Sequence, residues 1–84
     1  MIHELKTWPE YFQAVKSGKK RFEIRRNDRE FKMGEVLYLK EWNPETKEYT
    51  GETLSADVDY VFCGKGNVAF GVDPEFVVMS ISIN

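Results

Sequence analysis

The segment TWPEYFQAVKSGKKRFEIRR, residues 7–26, joins a helical pattern to an alternating one, and that junction decides the fold. Trp8, Tyr11, Phe12 and Val15 recur at the spacing of one helix face. Thr7 followed three residues later by Glu10 matches a capping box, and Pro9 in the first turn costs no intrahelical hydrogen bond. The pattern therefore predicts a helix that starts at Thr7 and uses Trp8 as a core anchor. Ser17-Gly18 ends it, since glycine suits the left-handed position beyond a helix C-terminus. From Lys19 to Arg26 the period changes to two. Phe22 and Ile24 fall on one side, with Arg21, Glu23 and Arg25 on the other. This reads as a half-buried strand with one charged side. Lys20 has the parity of Phe22, opposite to Glu23 and Arg25.

Outward from this junction the chain reads as strands. IHELK at Ile2–Lys6 is a short opening strand. NDREFKMGE, residues 27–35, is a loop, with turn chemistry from Asn27, Asp28 and Gly34. EVLYLKEW at Glu35–Trp42 is a strand, and NPETKEYTG after it is a hairpin-like turn broken by Asn43-Pro44. Leu54, Ala56, Val58, Tyr60 and Phe62 occupy every second position of a long antiparallel-type strand. Gly64–Gly71 reads as a flexible glycine-rich loop; its GKGN lacks the Lys-Ser/Thr of a phosphate-binding loop. Val77, Met79, Ile81 and Ile83 face one way in the last strand. One helix against five or six strands is an α+β arrangement. So little helix leaves a sheet that must curl to bury its own face, which predicts a small barrel. The 84 residues are enough for one domain, 1–84.

Charge narrows the function. The net charge is −2, but it is unevenly spread. Residues 1–42 carry ten basic and seven acidic side chains, whereas residues 43–84 carry two and seven. Between Lys16 and Lys32 there are eight basic side chains against three acidic ones. A basic patch on an acidic protein still attracts a polyanion, because the local field sets the attraction. A solvated strand face neutralised by neighbouring carboxylates is the plainer alternative. The lone cysteine, Cys63, forms no internal disulfide, and His3 is the lone histidine, so neither a thiol–imidazole pair nor a zinc site is expected. No cofactor is expected. No signal core or membrane-length apolar run is present. A cytoplasmic monomer with no membrane partner is the expectation.

Gly18, Lys20, Glu23 and Arg25 form G-x-K-x-x-E-x-R. This spacing resembles the signature of the ASCH domain, named after an activating signal cointegrator. MGEVLYL at Met33–Leu39 looks like the strand entry that often follows it. HELKTWPEYFQAV at the start and the WNPET-x-x-YTG turn at Trp42–Gly51 resemble a small ASCH-like family of bacterial and phage proteins. The resemblance covers nearly the whole chain and implies a small PUA-like mixed β-barrel with the helix packed at its mouth. It also implies RNA binding, which is inferred for most of the family. A few small members are amidohydrolases that remove the acetyl group from N4-acetylcytidine, using the motif lysine, a threonine on the same strand and a distant glutamate. The lysine position here is Lys20; Glu23 stands at the threonine position.

The residue types fit an anionic or nucleobase ligand in their own right. Arg25 offers a bidentate fork and Lys20 a point charge. Glu23 either orients them or accepts from an exocyclic amine; alternatively, it forms an ion pair that closes the barrel mouth. His3 and Lys6, on the first strand near the helix start, are candidates for the same pocket. Asn27 is a candidate for a base edge and Trp42 for base stacking. The first expectation is therefore an RNA-binding or modified-nucleotide-binding module, with its cleft between the helix and the Gly18–Arg25 strand. The second is an amidohydrolase with Lys20 and Glu23 as its chemistry, and the third a protein-interaction module.

Overall fold

The computed structural model describes residues 1–83. The chain runs β1 (Ile2–Thr7), α1 (Pro9–Lys16), β2 (Phe22–Arg26), β3 (Val36–Asn43), β4 (Glu48–Cys63), a one-turn 3₁₀ helix (Val68–Phe70) and β5 (Phe76–Ile83). The five strands form one sheet in the order β1-β3-β4-β5-β2. β1 pairs parallel to β3, and the other neighbours are antiparallel, so the sheet is mixed. It curls into a half-barrel whose two edge strands, β1 and β2, approach each other across an open seam. Arg25 on β2 bridges that seam, donating from Nη2 to the Lys6 carbonyl of β1 at 2.9 Å and to Thr7 Oγ1 at 3.3 Å.

Alternation explains the core. Leu5 on β1, Leu37 and Leu39 on β3, and Val77, Met79 and Ile81 on β5 all point inward and are buried. α1 adds Phe12 and Val15 to the same cluster, and the loop after β2 adds Phe31. β4 departs from simple alternation. Its register against β5 shifts between Val58 and Tyr60. A bulge of this kind flips the faces beyond it. Tyr60 therefore points out, while Val61 and Cys63 pack against the core. The expected single face from Leu54 to Phe62 holds only as far as Val58.

The helix start differs from the capping-box expectation. Thr7 is the last residue of β1, opposite Glu41 of β3, and its hydroxyl is buried against the Leu5 carbonyl. Trp8 takes the N-cap position without a side-chain capping bond. The sheet claims Thr7 before the helix can. The helix end follows expectation: Gly18 has φ +83° just beyond the Ser17 C-cap. Among the described residues no helix is long and apolar enough to cross a membrane.

Candidate functional site

β2 carries its charge on the inner side. Phe22 and Ile24 remain 44% and 54% exposed, whereas the Glu23 side chain is 4% exposed. Burying a carboxylate is costly unless it is paired and hydrogen-bonded. Glu23 is both. Lys20 Nζ donates to Oε1 at 2.6 Å, and Arg25 Nε donates to Oε2 at 2.9 Å. Lys20 reaches this point despite its parity because it precedes the ladder, whose first pair is Phe22 with Ser80. Its ammonium folds back along its own strand and also donates to the Phe22 carbonyl at 2.8 Å.

This cation–carboxylate–cation row lines a cavity of about 470 Å³ at the seam. The remaining lining comes from Lys6, Thr7, Trp8, Tyr11, Phe22 and Ile24. Trp8 and Tyr11 are exposed side by side, with ring centroids 6.5 Å apart and planes 24° from parallel. The helix has only eight residues, and Phe12 and Val15 are its buried positions. The apolar stripe is thus narrower than expected, and Trp8 is a pocket wall rather than a core anchor. The Lys20 ammonium lies 4.8 Å from the Phe22 ring centroid and 5.9 Å from that of Tyr11, within cation–π range.

The structure therefore brings together Lys20, Glu23, Arg25 and Lys6. It places the other three candidates elsewhere. His3 is buried against Phe31, with its Nε2 2.8 Å from Glu35 Oε1. Asn27 fastens the end of β2: its backbone N–H donates to the Glu75 carbonyl at 2.8 Å, and its side-chain amide turns towards Cys63 Sγ at 3.9 Å. Trp42 is half-buried beneath Lys6, whose ammonium lies 4.6 Å from the ring centroid, and it does not line the cavity. Sequence reasoning set Trp8 aside as a core anchor rather than a base-stacking platform, and it missed Tyr11 as a wall. It also missed Glu41, a buried carboxylate that accepts from Gln13 Nε2 at 3.0 Å and Thr50 Oγ1 at 2.7 Å, outside the cavity. Among the described residues no group of three His, Cys, Asp or Glu side chains is placed to hold a metal.

The relocation of His3 has a consequence for acid stability. The His3 hydrogen bond, seconded by the backbone N–H of Lys32, holds the Glu35 carboxyl below its ordinary value. A folded pKa below the unfolded one stabilises the fold above the unfolded value, about 4.3, and that gain disappears as pH falls through the folded value. Glu35→Gln is expected to make stability less pH-dependent below about pH 4.3. Urea midpoints at neutral and acid pH check this; an unchanged difference between the two would refute it.

The model of a family described as "Domain of unknown function (DUF3850)" matches residues 2–81. A curated relative from Escherichia phage P2, described as an uncharacterized 12.9 kDa protein in the GpA 3' region, is 49% identical over 41 residues. That match covers 49% of this chain and 38% of the phage protein, so the chain spans well under two thirds of that relative. The crystal structure of hypothetical protein PH0355 has a TM-score of 0.67, covering 100% of both chains at 19% identity. At that identity the likeness is one of fold.

Proposed function

As the chain belongs to the DUF3850 family, we propose that it is a PUA-like, ASCH-related module that binds RNA or a modified nucleotide at the seam. The observation that carries this reading is the 470 Å³ cavity, with aromatic side chains on its walls and Lys20, Glu23 and Arg25 together in its lining. Its volume is in the ordinary range for small-ligand sites, and a few convergent polar groups in an apolar cleft are what orient a ligand. Trp8 and Tyr11 offer faces for a planar base. Both Glu23 oxygens are already engaged. Within the triad the groups left to meet a ligand are donors: the third Lys20 proton and Arg25 Nη1, which has no hydrogen-bond partner among the described residues. The site thus suits a ligand edge rich in acceptors, such as carbonyl or phosphate oxygens.

Trp8→Ala and Tyr11→Ala are each expected to weaken binding by about 1–3 kcal/mol, the usual loss of a base-stacking contact. Both side chains are exposed, so circular dichroism should show an unchanged fold. Lys20→Ala and Arg25→Ala should cost about 1–3 kcal/mol of binding. Arg21 and Arg26 bond to the Gly18 carbonyl and to Glu75, away from the cavity. Their alanine variants should lose little and mainly flatten the salt dependence. Binding of RNA and of cytidine nucleotides at two salt concentrations tests this. Equal losses across the four cationic variants would reduce the site to general positive charge.

The Lys20–Glu23 contact at 2.6 Å favours a second reading, in which this pair acts on N4-acetylcytidine and water to yield cytidine and acetate. Acetate release by the unmodified protein, without measurable RNA binding, would replace the first reading with this one.

A further inference from the structure

Beside the seam cavity lies a second one of about 320 Å³, lined by Glu4, Leu5, Lys6, Arg25, Arg29, Lys40 and Tyr49. Lys6 and Arg25 belong to both linings, so the two cavities meet across these side chains. Four cations face the second cavity against one carboxylate, in a chain whose net charge is −2. The elements that meet here explain the concentration. Lys6 on β1 and Lys40 on β3 are register partners in the parallel pair and stand side by side. Arg29, from the loop after β2, reaches over to β1, where Nη1 donates to the Glu4 carbonyl at 2.8 Å.

Neighbouring carboxylates compensate this positive charge only in part. Glu4 lies 3.6 Å from Lys40, and Asp28 lies 3.9 Å from Arg29, both longer than a charge-assisted hydrogen bond. Among the described residues the one close ion pair involving these cations, Arg25 with Glu23, faces the seam cavity. Lys6 and Lys40 rest instead over the Trp42 and Tyr49 rings, each 4.6 Å from the centroid. Cations parked on aromatic faces beside a cavity keep their donors available to an anion.

We propose that the second cavity is a phosphate subsite for the ligand whose base enters the seam cavity. Arg29 and Lys40 are its defining residues, and Lys6 and Arg25 are the bridge between the two. The inference rests on the base-binding reading and narrows it: the ligand is a nucleotide rather than a free nucleoside. Phosphate suits the site because its several oxygens accept from convergent cations at once.

Calorimetric titration with the four ribonucleoside monophosphates, the matching nucleosides and inorganic phosphate tests the inference. For at least one base, the monophosphate should bind 10-fold or more tighter than its nucleoside. The Arg29→Ala/Lys40→Ala variant should bring the monophosphate down to the nucleoside's affinity and leave the nucleoside unaffected. Lys40→Gln alone, which spares the Arg29 bond to β1, should give an intermediate loss if the double variant folds poorly. Equal affinity for nucleoside and monophosphate, with both weakened by Trp8→Ala, would overturn the subsite and leave the base pocket standing. Inorganic phosphate binding as tightly as every monophosphate, with no nucleoside bound, would also overturn it, because the anion would then carry no base. Failure of every nucleoside and monophosphate to bind would remove both readings together.

Discussion

Glu23→Ala is expected to lower the free energy of unfolding by about 3–5 kcal/mol, the cost of removing one partner from a buried ion pair. Two features set the size. The carboxylate is almost wholly covered, and its loss leaves Lys20 and Arg25 facing each other without the acid that separates them. Arg25 also spans the seam, so disturbing its anchor loosens the contact between β1 and β2. Glu23→Gln should be destabilising too, because its amide turns a donor towards a donor. Urea denaturation gives the loss directly. A second variant separates stability from function. Replacing Lys20, Glu23 and Arg25 together with apolar residues of similar size should recover most of the stability, as such replacements often do, while abolishing ligand binding. If the triple variant is as unstable as Glu23→Ala, the triad serves the fold.

The second large effect belongs to Gly64, where β4 turns away from β5. Gly64 is buried, and its N–H donates to the Phe76 carbonyl at 2.8 Å. A β-carbon there would lie 1.7 Å from the Asp73 carbonyl oxygen and 2.9 Å from that of Phe76. Both obstacles are backbone, so no side chain can swing aside. Gly64→Ala is expected to cost about 3 kcal/mol or more, the upper range for overpacking. Gly66, two residues on, has open space but a φ of +91°. Its alanine variant should lose only about 1–2 kcal/mol, from left-handed strain. Denaturation midpoints of the pair decide the matter; a Gly64→Ala midpoint equal to the parent's would show that the two loops part without cost.

The sequence carried the period of each element better than the direction in which it faces. Alternation through Phe22–Arg26 correctly separates Phe22 and Ile24 from Glu23 and Arg25. It does not say which side is inside, because hydrophobicity alone would bury the phenylalanine. The answer depends on Lys20, whose contact with Glu23 neutralises the inner side and comes from outside the ladder. Trp8 and Thr7 were misread for a related reason. Local rules assign both to the helix, while pairing with β3, far along the chain, draws Thr7 into the sheet. The bulge beyond Val58 has no local signature either, since Tyr60 and Val61 both suit a strand. Gly64 looked like loop flexibility because a close approach by Asp73 is invisible until the chain turns back. By contrast, the spacing of Lys20, Glu23 and Arg25 groups them through its resemblance to a known signature, although parity sets Lys20 on the opposite face; its place just before β2 is what lets it reach Glu23. His3, Asn27 and Trp42 were grouped with them only by residue type and proximity in sequence, and different elements hold them apart.

The strand order carries a consequence for the chain's birth on the ribosome. β1 can find its neighbour only after β3 exists, and β2 has no partner until β5, Phe76–Ile83, has been made. During synthesis the backbone of Phe22–Arg26 must therefore wait unpaired until Phe76–Ile83 emerges. Such long-range pairing slows folding, because loop closure is costly before any contact offsets it. The basic side chains crowded into this waiting segment repel those of another copy, which disfavours edge-to-edge joining of nascent chains before the native partner arrives.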